Sequence, residues 1–272
     1  MLKKLGFCDI IIISNLKRIY GMKYLIFLDI DGTILSSKGI HPRTVNAVAK
    51  ARALGHKVFI NTGRSYYIIP EEVKRTLELD GIVCGLGTCI VVDGEFLLSE
   101  CVSKEDVKTV MDFAKRHSNR LNIEGENGFV SYCGPCFLGK DLEVFSYENM
   151  YERFPDIRVS KFALERRLNE EEIKELSDRF PIFNHPHYAE VGVAGYDKAT
   201  GMRDAARLLG IDDPHFIAMG DSYNDIEMLE AADIAVVMGN APEDMKKNAD
   251  FVTLPCDEGG VGYAIEKLLL SE

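Results

Sequence analysis

Short apolar runs recur along the chain and alternate with amphipathic stretches. Tyr24–Leu28, Lys57–Asn61, Gly81–Cys84, His215–Met219, Ile234–Met238 and Phe251–Leu254 are mostly apolar, and each is too short for a buried helix. Such runs read as strands buried on both faces of a parallel sheet. Helical periodicities lie between them. Ala47, Ala51 and Leu54 share a face after His41-Pro42, and Gly55 supplies the stop. Residues 70–79 read as helical, and Met202, Ala205, Ala206 and Leu209 form a stripe that Gly210 ends. Pro242 opens a short helix, and Val261, Ala264, Ile265 and Leu268 mark a last one. This alternation predicts right-handed crossovers and an α/β domain.

The middle of the chain has another texture. Residues 90–98 form a hairpin pattern around Asp93-Gly94. Ser103 and Asp106 open a helix whose apolar face is Val107, Val110, Met111 and Ala114. Asn169 opens another, with Ile173, Leu176 and Phe180 facing inward. Strand-like runs at 120–124, 128–132, 159–164, 182–184 and 188–191 surround them, with a helical stretch over 141–153. Helices on an antiparallel sheet make an α+β module inserted between two halves of the α/β domain. Before Met22, the apolar run Cys8–Ile13 is far shorter than a membrane span needs, and no cleavage site follows it. Met22 is therefore expected to be the working start and 1–21 a poorly ordered extension. An edge strand or a membrane-surface anchor is the alternative.

Length and charge narrow the picture. At 272 residues the chain holds one or two domains and a sizeable core. A net charge of −11 argues against non-specific nucleic-acid binding, and an anionic substrate must then meet local cations or a metal. Seven cysteines without a secretory signal point to free thiols in a reducing cytoplasm.

The candidate chemistry starts at Asp29-Ile30-Asp31-Gly32-Thr33, directly after the first strand. In an open α/β sheet, ligands bind at the carboxyl ends of the strands. Two carboxylates there repel each other and need a cation, a shared proton or a task. Phosphoryl transfer is such a task, because a carboxylate can attack phosphorus and Mg²⁺ can neutralise the crowded charge. A solvated Asp-Gly turn is the bland alternative. Three further motifs stand at strand ends or helix starts: Thr62-Gly63-Arg64, Lys198 within Asp197–Gly201, and Gly220-Asp221 followed by Asn224-Asp225. Taken singly, these read as a turn, a surface lysine and an N-terminal helix charge.

Together, and in this order, the four motifs resemble those of the haloacid dehalogenase (HAD) superfamily, and the insertion resembles the cap of its Cof-type subgroup. The resemblance implies an α/β fold with a Rossmann-like parallel-sheet HAD core (22–86 and 188–272) and an inserted α+β cap domain (87–187). Residues 1–21 lie outside it. It implies Asp29 as the nucleophile forming an aspartyl-phosphate and Asp31 as general acid and base. Thr62 corresponds to the phosphoryl-binding hydroxyl, and Lys198 to the cation that steadies Asp29 and the phosphate. Mg²⁺ is implied on Asp29, Asp221 and the Asp31 carbonyl, with Asp225 supporting the metal site. Gly63, Arg64 and Asn224 fall on the substrate side. Ser222 stands where many relatives carry Asn. The implied activity is hydrolysis of small phosphorylated metabolites by a cytoplasmic monomer or weak homodimer, with no nucleic-acid or membrane partner. A phosphomutase of the same superfamily is the rival within enzymes.

Other features compete for attention. Cys133-Gly134-Pro135-Cys136 matches the thioredoxin redox tetrad and follows a strand, but Gly139 opposes a helix after it. A redox or regulatory module built on Cys133 and Cys136 is the rival from another class. His185-Pro186-His187 could chelate, yet nothing completes a zinc set, so a connection near a hinge is the simpler reading. Gly85-Leu86-Gly87 reads as the other hinge. Arg64 is open between a phosphate-side cation and an ion-pair partner. Ser65, Tyr66 and Tyr67 are candidate substrate contacts, and Tyr223 a residue that could alter access.

Overall fold

The computed structural model of the chain describes residues 22–270, so the expectations for 1–21, including Met22 as the start, lie outside it. The described residues gather into two compact units. One comprises 22–61, 70–81 and 206–270, and the other 62–69 and 82–205.

The first unit is built on a parallel sheet in the order Phe251–Val252, Ile234–Val237, His215–Gly220, Tyr24–Leu28, Lys57–Asn61. Tyr24–Leu28 is buried along its whole length, as its unbroken apolar run demands. Leu25 pairs with Phe216 on one side and Lys57 on the other. Phe27 stacks on Phe59 with ring centres 5.2 Å apart. Helix Pro42–Ala53 starts where expected, with the His41 ring accepting the Arg43 N–H, and buries Ala47, Val48 and Ala51. Leu54 is a correction: it is the C-cap residue and 48% exposed, because Gly55 turns the chain away at φ 89°. The helix expected over 70–79 is confined to Glu71–Thr76. The last helix, Gly260–Ile265, continues as a wide π turn over Glu266–Leu270 and buries Val261, Ala264, Ile265 and Leu268.

The second unit carries a sheet in the order Glu143–Val144, Phe129–Tyr132, Leu121–Gly125, Val159–Leu164, Ala189–Val191, Ile182–Asn184. Its pairs are antiparallel except the first, which is parallel. Helices Lys104–Arg116 and Glu170–Ser177 contribute Val107, Val110, Phe113 and Leu176 to a core shared with Ile123 and Phe162. Gly81–Cys84, Cys89–Val92 and Glu95–Ser99 form an antiparallel meander, and Asp93 and Gly94 both take positive φ in its second turn.

One expectation needs correction here. The stretch 141–153 is not one helix. Val144 pairs with Tyr132 in a short strand, and Ser146 then caps a separate helix, Tyr147–Arg153. Cys133–Gly139 forms no helix after its strand, and Cys133 sits exposed at φ 62°. The tetrad therefore lacks the helix start on which a thioredoxin-type site is built. The six cysteines among the described residues carry thiols rather than disulfides. No helix among them is long and apolar enough to cross a membrane.

Glu172 illustrates how the second unit is tied together. It completes a capping box with Asn169, and the Arg166 guanidinium donates to both of its carboxylate oxygens. Those charged hydrogen bonds hold Glu172 down at about 2. A depressed carboxylate contributes stability that is complete above its ordinary value of 4.5 and is lost as pH falls toward about 2. Glu172→Gln is expected to cost roughly 1–3 kcal/mol near neutral pH. It should also flatten the acid limb between those two values, as urea unfolding across pH would show.

Candidate active site

The first unit brings three carboxylates together. Asp29 continues the Tyr24–Leu28 strand, its N–H donating to the Met219 carbonyl at 3.0 Å, and its side chain is buried. Asp221 follows the neighbouring strand, His215–Gly220, and Asp225 closes the 3₁₀ turn after it. Asp29, Asp221 and Asp225 each offer an oxygen lying within 4.8 Å of the others'.

Three like charges so close repel unless donors and a cation offset them. The structure supplies the donors. Asp225 Oδ2 accepts the N–H groups of Asp221 at 2.9 Å and Ser222 at 3.0 Å, both at the turn's own entrance. Asp221 Oδ1 accepts the Thr33 hydroxyl at 2.9 Å, and its Oδ2 accepts the Asn240 amide at 3.2 Å. Asn240 also donates to the Gly32 carbonyl at 3.0 Å and accepts the Cys256 N–H at 2.8 Å. The N–H groups of Thr33, Ile34 and Leu35 all return to the Ile30 carbonyl, which tightens the turn after Asp29.

Glycine is required at two points. A Cβ on Gly32 would overlap the Asp221 carboxylate, and Gly32 has φ 80°. A Cβ on Gly220 would overlap the Asp225 carboxylate. Hard oxygen donors with excess negative charge suit a divalent cation such as Mg²⁺. Asp225 already takes two backbone N–H groups, which fits it for orienting the group as well as for ligation. The Asp31 side chain is exposed and outside the trio, and Asn224 Oδ1 accepts the Ser222 hydroxyl at 2.6 Å. Burial, with Asp221 and Asp257 adding to it, pushes the Cys256 thiol up to about 11, so it stays protonated.

The second unit holds the other predicted residues. Thr62 is buried, donates its N–H to the Val83 carbonyl at 3.0 Å, and accepts the Arg64 N–H on Oγ1 at 3.2 Å. The Gly63 carbonyl accepts the Lys161 ammonium at 3.0 Å. Arg64 donates to the Ile68 carbonyl at 3.1 Å. Lys198 is 1% exposed, so it is no surface lysine. It begins helix Lys198–Leu208, whose start is braced by Asp197 and Thr200 through hydrogen bonds in both directions. Gly85, Leu86 and Gly87 all take positive φ in a tight turn, and a Cβ on Gly87 would overlap the Asp197 carbonyl. His185 is buried against Glu190 and stacked on Tyr188, while His187 is exposed. Among the described residues, the cluster of three His, Cys, Asp or Glu side chains placed to hold an ion is the carboxylate trio.

The sequence reading assigned Thr33 no role of its own and left Asn240 and Lys161 unnoticed. The strand-end rule that found Asp29 and Asp221 could have found Asn240, which lies just past strand Ile234–Val237. Lys161 had its own signal, a charge inside an otherwise buried strand.

Known proteins resemble this chain over most of its length. The family model described as haloacid dehalogenase-like hydrolase matches residues 26–265. A putative phosphatase of Bacillus subtilis, YkrA, is 29% identical over 90% of this chain and 97% of its own length. The 5-amino-6-(5-phospho-D-ribitylamino)uracil phosphatase YcsE of the same organism is 28% identical over 90% and 96%. Among solved structures, the HAD subclass IIB sugar phosphatase BT4131 aligns with a TM-score of 0.75 and 32% identity, over 90% of this chain and 98% of that one.

Two substitutions test the carboxylate trio. Mg²⁺ should raise the Tm of the wild type but not that of Gly32→Ala, because the added methyl displaces Asp221. Asn240→Ala leaves the carboxylates in place but removes a donor that orients one of them. It should weaken Mg²⁺ binding by roughly 10- to 100-fold in a calorimetric titration.

Proposed function

The chain belongs to the haloacid dehalogenase-like hydrolase family and is a phosphatase, and we propose that it hydrolyses small phosphorylated metabolites with Mg²⁺ through an aspartyl-phosphate. The observation that carries this reading is the trio Asp29, Asp221 and Asp225, within 4.8 Å and braced by backbone N–H groups, Thr33 and Asn240.

In this reading Asp29 attacks phosphorus and the P–O bond to the leaving group breaks. Asp31 gives that oxygen its proton. Asp31 then takes a proton from water, the water oxygen attacks phosphorus, and the Asp29–phosphorus bond breaks to release phosphate. Thr62 donates to the transferring phosphoryl group and Lys198 offsets its charge, with Gly63, Arg64 and Asn224 as substrate-side groups. Bound Mg²⁺ supplies positive charge that neutralises the crowded anions. Positioning and charge stabilisation are most of what phosphoryl transfer asks of a protein.

Phosphorylated sugars and phosphorylated ribityl compounds are the first substrates to examine, because BT4131 is a sugar phosphatase and YcsE acts on a phosphoribityl compound. In this reading residues 22–86 and 188–272 are the core, 87–187 is the cap that selects the substrate, and the protein works in the cytoplasm as a monomer or weak homodimer.

The test is phosphate release from a panel of phosphorylated metabolites, with Mg²⁺ or EDTA. Release should need both the ion and Asp29, falling to background in Asp29→Asn. An isomerised sugar phosphate without free phosphate would assign a mutase instead. Asp31→Asn separates the proton's role from the nucleophile's. It should slow sugar phosphates by roughly 10²- to 10⁴-fold, and slow p-nitrophenyl phosphate far less, because that leaving group needs no proton.

A further inference from the structure

Three neighbouring strands of the second unit bring charged side chains into their buried face. Glu124, Lys161 and Glu190 are each 5% exposed or less. Lys161 lies directly opposite Glu124 in the antiparallel register, and Glu190 lies opposite Ala163, one step along the same face. The Lys161 ammonium pairs with Glu190 and stands 4.0 Å from Glu124. His185, itself buried, meets the second Glu190 oxygen at 3.0 Å and stacks on Tyr188.

A buried row of this kind is costly, and well-packed apolar residues often serve stability as well or better. Its contacts indicate another purpose. Lys161 donates to the Gly63 carbonyl at 3.0 Å, and Glu124 accepts the Ser65 N–H at 3.4 Å. The row thus holds the chain segment 62–65 from two sides, one residue and three residues after Thr62. Lys198 also acts on the row, its charge opposing that of Lys161. Burial works against the Lys161 charge, but the two glutamates facing it outweigh that and push its pKa up, while burial pushes Glu124 up.

We propose that Lys161, braced by Glu124 and Glu190, is a positioning residue that fixes the Gly63 carbonyl and so aims the Thr62 hydroxyl. This rests on the reading of Thr62 as the group that binds the transferring phosphoryl. The Gly63 carbonyl shares its peptide plane with the Arg64 N–H, which donates to Thr62 Oγ1 at 3.2 Å, so the cation that turns the carbonyl also sets the donor on that hydroxyl. A misplacement of about 1 Å is enough to cost roughly 10²-fold in rate.

The experiment is a double-mutant cycle on the full chain, assayed by phosphate release with the best substrate of the panel. Lys161→Met should lower kcat by roughly 10- to 100-fold with KM changed less than about threefold. Its Mg²⁺-induced rise in Tm should match that of the wild type. Thr62→Ala should lower kcat, and adding Lys161→Met to it should cause little further loss, because both act through one group. Should Lys161→Met fold poorly, Lys161→Met combined with Glu190→Met removes both charges of the pair and should show the same kcat loss. A folded Lys161 variant with wild-type kcat overturns the proposal, and so does a Lys161→Met loss that multiplies in full with that of Thr62→Ala. Wild-type kcat in Thr62→Ala alone overturns the role given to Thr62, and the inference with it, while leaving Asp29 untouched.

Discussion

Carboxylates gathered at the ends of adjacent parallel strands repel each other, and much of the first unit is arranged to tolerate that repulsion. Asp29 follows Leu28, which pairs with Met219, and Asp221 lies one residue past the position opposite Asp29, so the sheet itself sets their spacing. Asp225 is drawn in by the N–H groups of Asp221 and Ser222. Each donor that faces the trio is anchored elsewhere. Thr33 belongs to a turn closed on the Ile30 carbonyl, and Asn240 is gripped by Gly32 and Cys256. Remove the negative charge and this scaffold has no evident purpose. Keep it, and a cation becomes the natural complement.

How far the sequence disclosed this depended on where information is local. Tyr24–Leu28 and Val159–Leu164 are found with their ends intact, because apolar runs bounded by turn residues are strong signals. Ser103 and Asn169 are found as caps because capping is a matter of three or four consecutive residues. The trio was legible because each motif follows a strand. Asn240 also lies just past a strand, but a lone amide there gives no sign of the carboxylate it meets, Asp221, 19 residues earlier. The stretch 141–153 failed for the same reason: Val144 leaves the helical pattern only because Phe129–Tyr132 is there to pair with it.

The second unit shows a different compromise. Its helices face an ordinary apolar core, yet Glu124, Lys161, Glu190 and His185 commit polar surface to the interior. An apolar strand could have packed there with less desolvation. Charges gain directional hold instead. An ammonium reaches a carbonyl along a defined line, whereas a leucine in its place would only fill volume. The cost is a segment that has lost the freedom to adapt, because each member of the row already has its partner.

The glycines at 32 and 220 limit what evolution can do with this fold. At both positions the smallest possible side chain would run into a carboxylate of the trio. Drift cannot resculpt that floor one residue at a time, because intermediate sequences would lose the site before gaining another. A lineage diversifying toward new metabolites must therefore leave the acidic floor as it stands and accumulate its differences in other parts of the chain. Two paralogues with little sequence in common could then share this corner almost atom for atom.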